Sequence, residues 1–155
     1  MKSIRRAMMY LVMLLPLTLG AQEIVEKTSG LERTPSPLGA TVTFRNLKDG
    51  DVVGRSFRVK FDISGMKVRK AGTDDANSGH HHLLIDVKEL PPMDLPLPNN
   101  EAVYHFGKAE KSAVISMPPG EHTLQLLFAD YRHIPHDPPV MSEKITVTVV
   151  EDPEK

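Results

Sequence analysis

The chain has no cysteine, no apolar run long enough to cross a membrane, and no histidine before residue 80 or after residue 136. Without cysteine it can form no disulfide, no thiolate metal site and no cysteine nucleophile. No window carries sustained helical periodicity, and there is no internal repeat, coiled-coil heptad, P-loop or dinucleotide-binding glycine pattern. Neither an H-E-x-x-H zinc motif nor a nucleophile elbow occurs, which leaves the common hydrolase chemistries without a signature.

The apolar stretch Ala7–Leu19 is thirteen residues long and contains Pro16, whereas a spanning helix needs roughly 20 apolar residues. Lys2, Arg5 and Arg6 precede it and Gly20 and Ala21 follow it. A basic start, a short apolar centre and a small-residue exit predict a cleaved signal peptide over residues 1–21, and hence a periplasmic or secreted protein with no stable membrane span. No cysteine follows that could carry a lipid anchor. Cleavage leaves 16 basic and 20 acidic residues, a net charge of −4 with histidines neutral. That balance argues against nucleic acid and anionic membrane surfaces as partners.

Residues 22–40 are polar, contain Pro35 and Pro37, and read as a flexible leader. From Thr41 the texture changes to short alternating runs separated by Gly, Pro, Asn and Asp. Strands are expected at 41–47, 56–63, 80–87, 102–106, 112–117, 121–130 and 143–150. About seven strands in about 110 residues predict an all-β, immunoglobulin-like β-sandwich over residues 41–150. Pro91, Pro92, Pro96 and Pro98 fit a rigid crossover between sheets rather than a polyproline recognition segment.

Alternate residues of a strand share a face. In "HHHLLIDV" the row Leu83, Ile85 and Val87 should face the core, so His81 continues inward while His80 and His82 point out. If the strands alternate in direction, the start of this strand, the end of "AVYHF" and the loop "YRHIPHDPP" meet at one rim. His80, His82, His105, His133 and His136 then share that rim, with Asp130 as an oxygen ligand or hydrogen-bond partner. Imidazole-rich sites suit copper and zinc, so the expected ligand is one such ion, with no organic cofactor. His122 lies at the opposite end, where a tyrosine often ties down such sandwiches, and reads as structural. Met117 and Met141 read as packing residues rather than thioether ligands.

The alternative is a non-catalytic cell-envelope module that binds a protein or glycan, its histidines only ordering the loops. An enzyme ranks below both. Ser78 and Ser142 lie near the rim, but the ligand spacing of a copper–zinc dismutase is missing.

The motifs "SGHHHLLID", "HFGKAE" and "MPPGEHTLQLLFADYRHIPHDPPVMSEKITVTV" resemble a bacterial family known as domain of unknown function 4399, over about residues 41–149. The resemblance implies a small exported domain with these histidine motifs and brings no established activity. The sequence departs from the family pattern at "HFGKAEKSA", where "HFGKGQT" is expected; His105 is kept and only the following turn is affected.

Overall fold

The structure is a computed structural model that describes residues 30–151, all of it strand, turn and loop, with no helix among the described residues. The predicted signal peptide and residues 22–29 of the leader lie outside the described residues. Ten strands follow in order: β1 (Thr41–Phe44), β2 (Asp51–Val53), β3 (Ser56–Ser64), β4 (Lys67–Val68), β5 (Ser78–Ile85), β6 (Val103–Phe106), β7 (Ser112–Ser116), β8 (Gly120–Ala129), β9 (Pro135–Met141) and β10 (Ile145–Val149). The seven strands expected from sequence are β1, β3, β5, β6, β7, β8 and β10. The three additional ones are two short strands, β2 and β4, and β9, which forms where the sequence predicts a loop.

One sheet has the order β1-β3-β7 and the other β2-β10-β8-β5, with β4 and β6 both along the far edge of β5 and β9 beside the end of β8. Between β1 and β2 the chain changes sheets, and β2 then pairs with the last strand in parallel. This is the layered arrangement of an immunoglobulin-like sandwich. Alternation explains it locally: Val59 and Phe61 of β3, Leu83 and Ile85 of β5, Leu124, Leu126 and Phe128 of β8, and Val147 and Val149 of β10 all turn into one core. β9 escaped the pattern search because Pro135, Pro138 and Pro139 interrupt its alternation, which only an edge strand tolerates.

Residues 30–40, expected as part of a loose leader, run along the domain. Leu31 N–H donates to the Asp94 carbonyl at 2.8 Å, Ser36 N–H to the Asp137 carbonyl at 3.0 Å, and Asp137 N–H to the Thr34 carbonyl at 3.0 Å. Arg33 donates to the carbonyls of Pro135 and His136 and pairs with the Asp137 carboxylate at 3.3 Å. Two prolines deprive this segment of sheet periodicity, so its partners were invisible in the sequence.

At the end of the sandwich away from the histidine group, His122 Nδ1 lies 2.7 Å from Asp86 Oδ2 and Nε2 lies 3.0 Å from the Pro118 carbonyl. Both neighbours are acceptors, so both ring nitrogens are best satisfied as donors and the imidazolium is favoured. The Asp86 hydrogen bond accordingly raises the His122 pKa. Burial acts to raise the Asp86 pKa, but the bonds from His122 and the Thr123 N–H outweigh it, and the net shift is downward. The contribution of His122 is fully present below its unfolded value near 6.5 and is lost as pH rises through its raised folded value. That of Asp86 is present above its ordinary value near 3.8 and fades below it. His122→Gln is therefore expected to cost on the order of 1 kcal/mol at pH 5.5, a figure discounted for the half-exposed carboxylate. The loss should shrink at pH 8.5. Urea unfolding of both proteins at the two pH values measures it, and an equal loss at both would contradict the ion pair.

Candidate metal centre

Every residue of β5 is buried, so the sheet is covered on both faces here. Its partners fix the register: His80 lies opposite Ala129, and His82 lies between Leu127 of β8 and His105 of β6. Gly79 permits this pairing, since a Cβ there would collide with the Ala129 carbonyl and the Phe128 ring. His81 takes the core face, its ring 5.0 Å from Phe61 and 5.1 Å from Phe128 between centroids. His80, His82 and His105 take the outer face.

That outer face is not open to solvent as strand parity alone suggested. A second apolar cluster of Leu84, Leu97, Val103, Leu127 and Ala129 lies on it, with Val87, Met93 and Met141 at its border. Leu97 and Met93 belong to the proline-rich crossover, which folds back over the strand. Leu97 N–H donates to the His133 carbonyl at 2.8 Å, joining the crossover to the turn after β8. His80 and His82 consequently have no exposed surface.

Beneath this cover His80, His82 and His105 each offer a ring nitrogen, and these atoms all lie within 4.8 Å of one another. The His133 ring stands alongside, 4.9 Å from His80 and 4.7 Å from His105 between centroids. Its backbone holds φ at +69°, uncommon for a residue with a side chain. Both backbone groups are engaged, the N–H to the Asp130 carbonyl and the C=O to Leu97. Gly107 packs so close to the His105 ring that a Cβ there would strike it.

The protein leaves nitrogens of the strand histidines without partners. Both ring nitrogens of His80, His81 and His82, and Nε2 of His105, are buried without a hydrogen-bond partner. Burial, reinforced by the neighbouring rings, lowers His80 to a pKa of about 3 and His82 to about 2. Burial likewise lowers His81 to about 4 and also depresses His105. The rings are thus neutral at ordinary pH, the form in which imidazole ligates a metal. Metal–nitrogen bonds of about 2.0–2.1 Å require donors about 3.3–3.5 Å apart, so a separation as long as 4.8 Å must shorten by about 1.3–1.5 Å to hold an ion.

Two residues placed at this site from sequence have other surroundings. Asp130 is buried with its carboxylate fully engaged: Oδ1 accepts from the N–H groups of Arg132 and Ile134, and Oδ2 from Thr34 Oγ1 at 2.7 Å and the Arg132 guanidinium. It builds the turn that presents His133, and its oxygens are not among the converging donor atoms. His136 lies on β9 and stacks at 6.0 Å on Phe128, with Nδ1 3.2 Å from the Thr34 carbonyl and Nε2 unpartnered. Phe128 belongs to the core face, so His136 sits apart from the trio. The sequence reading missed the contributions of Leu97, Gly107 and Thr34. Only the glycine two residues beyond His105 gave a local hint.

A family described as a domain of unknown function (DUF4399) matches residues 59–150. The chain belongs to this family. The DUF4399 match runs from within β3 to the residue after β10 and includes all seven histidines, whereas β1, β2 and the segment at 30–37 precede it. No curated protein and no solved structure matches the chain.

Histidines held neutral make the metal-free domain sensitive to acid. Their folded pKa values lie below the unfolded value of 6.5, so the stability of the neutral form is complete above about pH 6.5 and is lost as pH falls toward the folded values. The slope approaches about 1.4 kcal/mol per pH unit for each histidine. Replacing an unsatisfied buried ring by a hydrocarbon should help: His82→Leu is expected to raise the stability of the metal-free protein at pH 7.5 by roughly 1–3 kcal/mol. It should also flatten the loss between pH 6.5 and 4.5. Urea midpoints for both proteins across that range decide it, and a destabilised His82→Leu would mean that the ring is satisfied after all.

Proposed function

We propose that this domain binds one transition-metal ion through His80, His82 and His105, with His133 as a neighbouring fourth ring. The observation that carries this reading is the convergence of buried imidazole nitrogens that lack protein partners. Unsatisfied buried nitrogens cost about 1–3 kcal/mol each, and an ion is a single group that would satisfy several together. Asp130 acts by holding the turn, and Thr34 and Arg132 hold Asp130. Copper and zinc are the ions whose chemistry fits imidazole donors.

The basic, apolar and small-residue pattern of residues 1–21 supports export, which makes the protein a periplasmic or secreted ion carrier or buffer. The candidate centre sits under a roof of side chains, an arrangement that suits holding an ion more than turning over a substrate. In the competing reading, an envelope module, the histidines serve only to tie the loops. Loop-tying requires hydrogen bonds, and here Asp130 makes them while the rings of His80 and His82 do not.

Calorimetric titration of the metal-free protein with Cu(II), Cu(I) and Zn(II) tests the proposal. At least one of these should bind with a stoichiometry of one per chain and raise the melting temperature. His80→Gln, His82→Gln and His105→Gln should each weaken that binding by about tenfold or more, since each removes one of three ligands. Binding of every ion weaker than tens of micromolar would overturn the reading.

A further inference from the structure

The donor set has a property that distinguishes between ions: it carries no charge. The three converging donors are neutral imidazoles, and the ring beside them is a fourth imidazole. The carboxylate that acts on His80 is Asp130, which is already matched by the Arg132 guanidinium at 3.1 Å and by three further donors, the N–H groups of Arg132 and Ile134 on the same turn and Thr34 Oγ1 on the N-terminal segment. Near His105 the carboxylate is Glu110, whose Oε2 accepts the Lys108 N–H at 2.7 Å. The side chains that act on His82 electrostatically are His80, His105 and His133. None of the three converging donors offsets the charge of an ion that they hold.

Such an ion must also keep that charge away from water. The ring nitrogens of His80 and His82 and Nε2 of His105 are closed to solvent, and apolar side chains of the crossover lie over the same sheet face. The penalty for transferring an ion out of water grows with the square of its charge, so a divalent ion pays about four times the cost of a monovalent one. Zinc sites built on neutral ligands commonly keep an open position for a water or hydroxide. Here the His133 ring stands beside His80 and His105, on a backbone held through both its N–H and its C=O.

We propose that the ion this centre is built to hold is monovalent copper, bound by His80, His82 and His105 in a closed, uncharged pocket. The inference rests on the metal-binding reading above and adds the oxidation state. A d¹⁰ monovalent ion accepts three nitrogen donors without demanding the square array that Cu(II) prefers, and it leaves half the residual charge of Zn(II). His133 shields the ion on its remaining side.

The test is an anaerobic titration of the metal-free protein at pH 7.5. Cu(I) is added in competition with a chromogenic Cu(I) chelator, and Zn(II) in competition with a Zn(II) chelator. Ag(I) serves as a redox-inert monovalent probe in calorimetry. One Cu(I) per chain is expected, bound at least about 1,000-fold more tightly than Zn(II). Ag(I) should bind at the same stoichiometry, and X-ray absorption of the copper form should show three nitrogen neighbours. His82→Leu, which removes a donor while keeping the fold, should abolish tight Cu(I) binding. Zn(II) binding as tight as Cu(I), lost in the same variant, overturns the inference and leaves the metal centre standing. If none of the three ions binds, the metal-binding reading itself fails.

Discussion

The arrangement of this domain depends on one strand being buried on both of its faces. A sandwich strand needs only one covered face; β5 has the main core on one side and the crossover with its own small apolar cluster on the other. For an aliphatic strand this would be a gain in buried area. In β5 the covered positions include three consecutive imidazoles with no partner on any ring nitrogen. The domain therefore carries a large local penalty in its best-packed region. Such a penalty is tolerable only because the surrounding contacts are dense, and it is the physical reason to look for a ligand there rather than at a surface cleft.

The two sides of that strand divide the histidines by environment. His81 is enclosed by Phe61 and Phe128 and belongs to the packing of the sandwich. His80 and His82 share their face with His105, because the antiparallel register sets His82 directly against His105. The fourth ring arrives from a turn rather than a strand, and Asp130 fixes that turn with hydrogen bonds in two directions. The ends of the sandwich differ accordingly. At the far end a histidine is fully paired with Asp86 and Pro118 and is stabilised in its charged form. At the near end His80 and His82 are unpaired and neutral.

Much of this was readable in the residues. The period-two alternation of "SFRVKFDI", "HHHLLIDV" and "EHTLQLLFAD" gave the main strands, and parity alone separated His81 from its neighbours. Alternating strand direction was enough to bring His105 and His133 toward the triplet. What could not be read was the cover. The crossover is defined by prolines and isolated apolar residues with no period, so nothing in it announces that Leu97 reaches the outer sheet face. Asp130 illustrates a different limit, since a buried aspartate in a histidine-rich loop has the same one-dimensional appearance as ligand or as turn-maker. His136 shifted for a related reason: its strand is studded with prolines, and its side-chain direction follows from pairing with β8, which no local pattern reveals.

The segment at residues 31–37 reaches both halves of the cover: the crossover through Asp94, and the turn and β9 through Asp130, His136 and Asp137. Its contacts with the turn and β9 join positions about a hundred residues apart, such as Thr34 with Asp130 at a separation of 96 and Arg33 with Pro135 at 102. Contacts of such range cannot form until nearly the entire domain has been synthesised, and each closes a loop of about a hundred residues. The turn and β9 beside the imidazoles are thus fastened from a segment at the other end of the described chain. Loosening that one segment would free the turn that carries His133 without breaking a single pairing of β5.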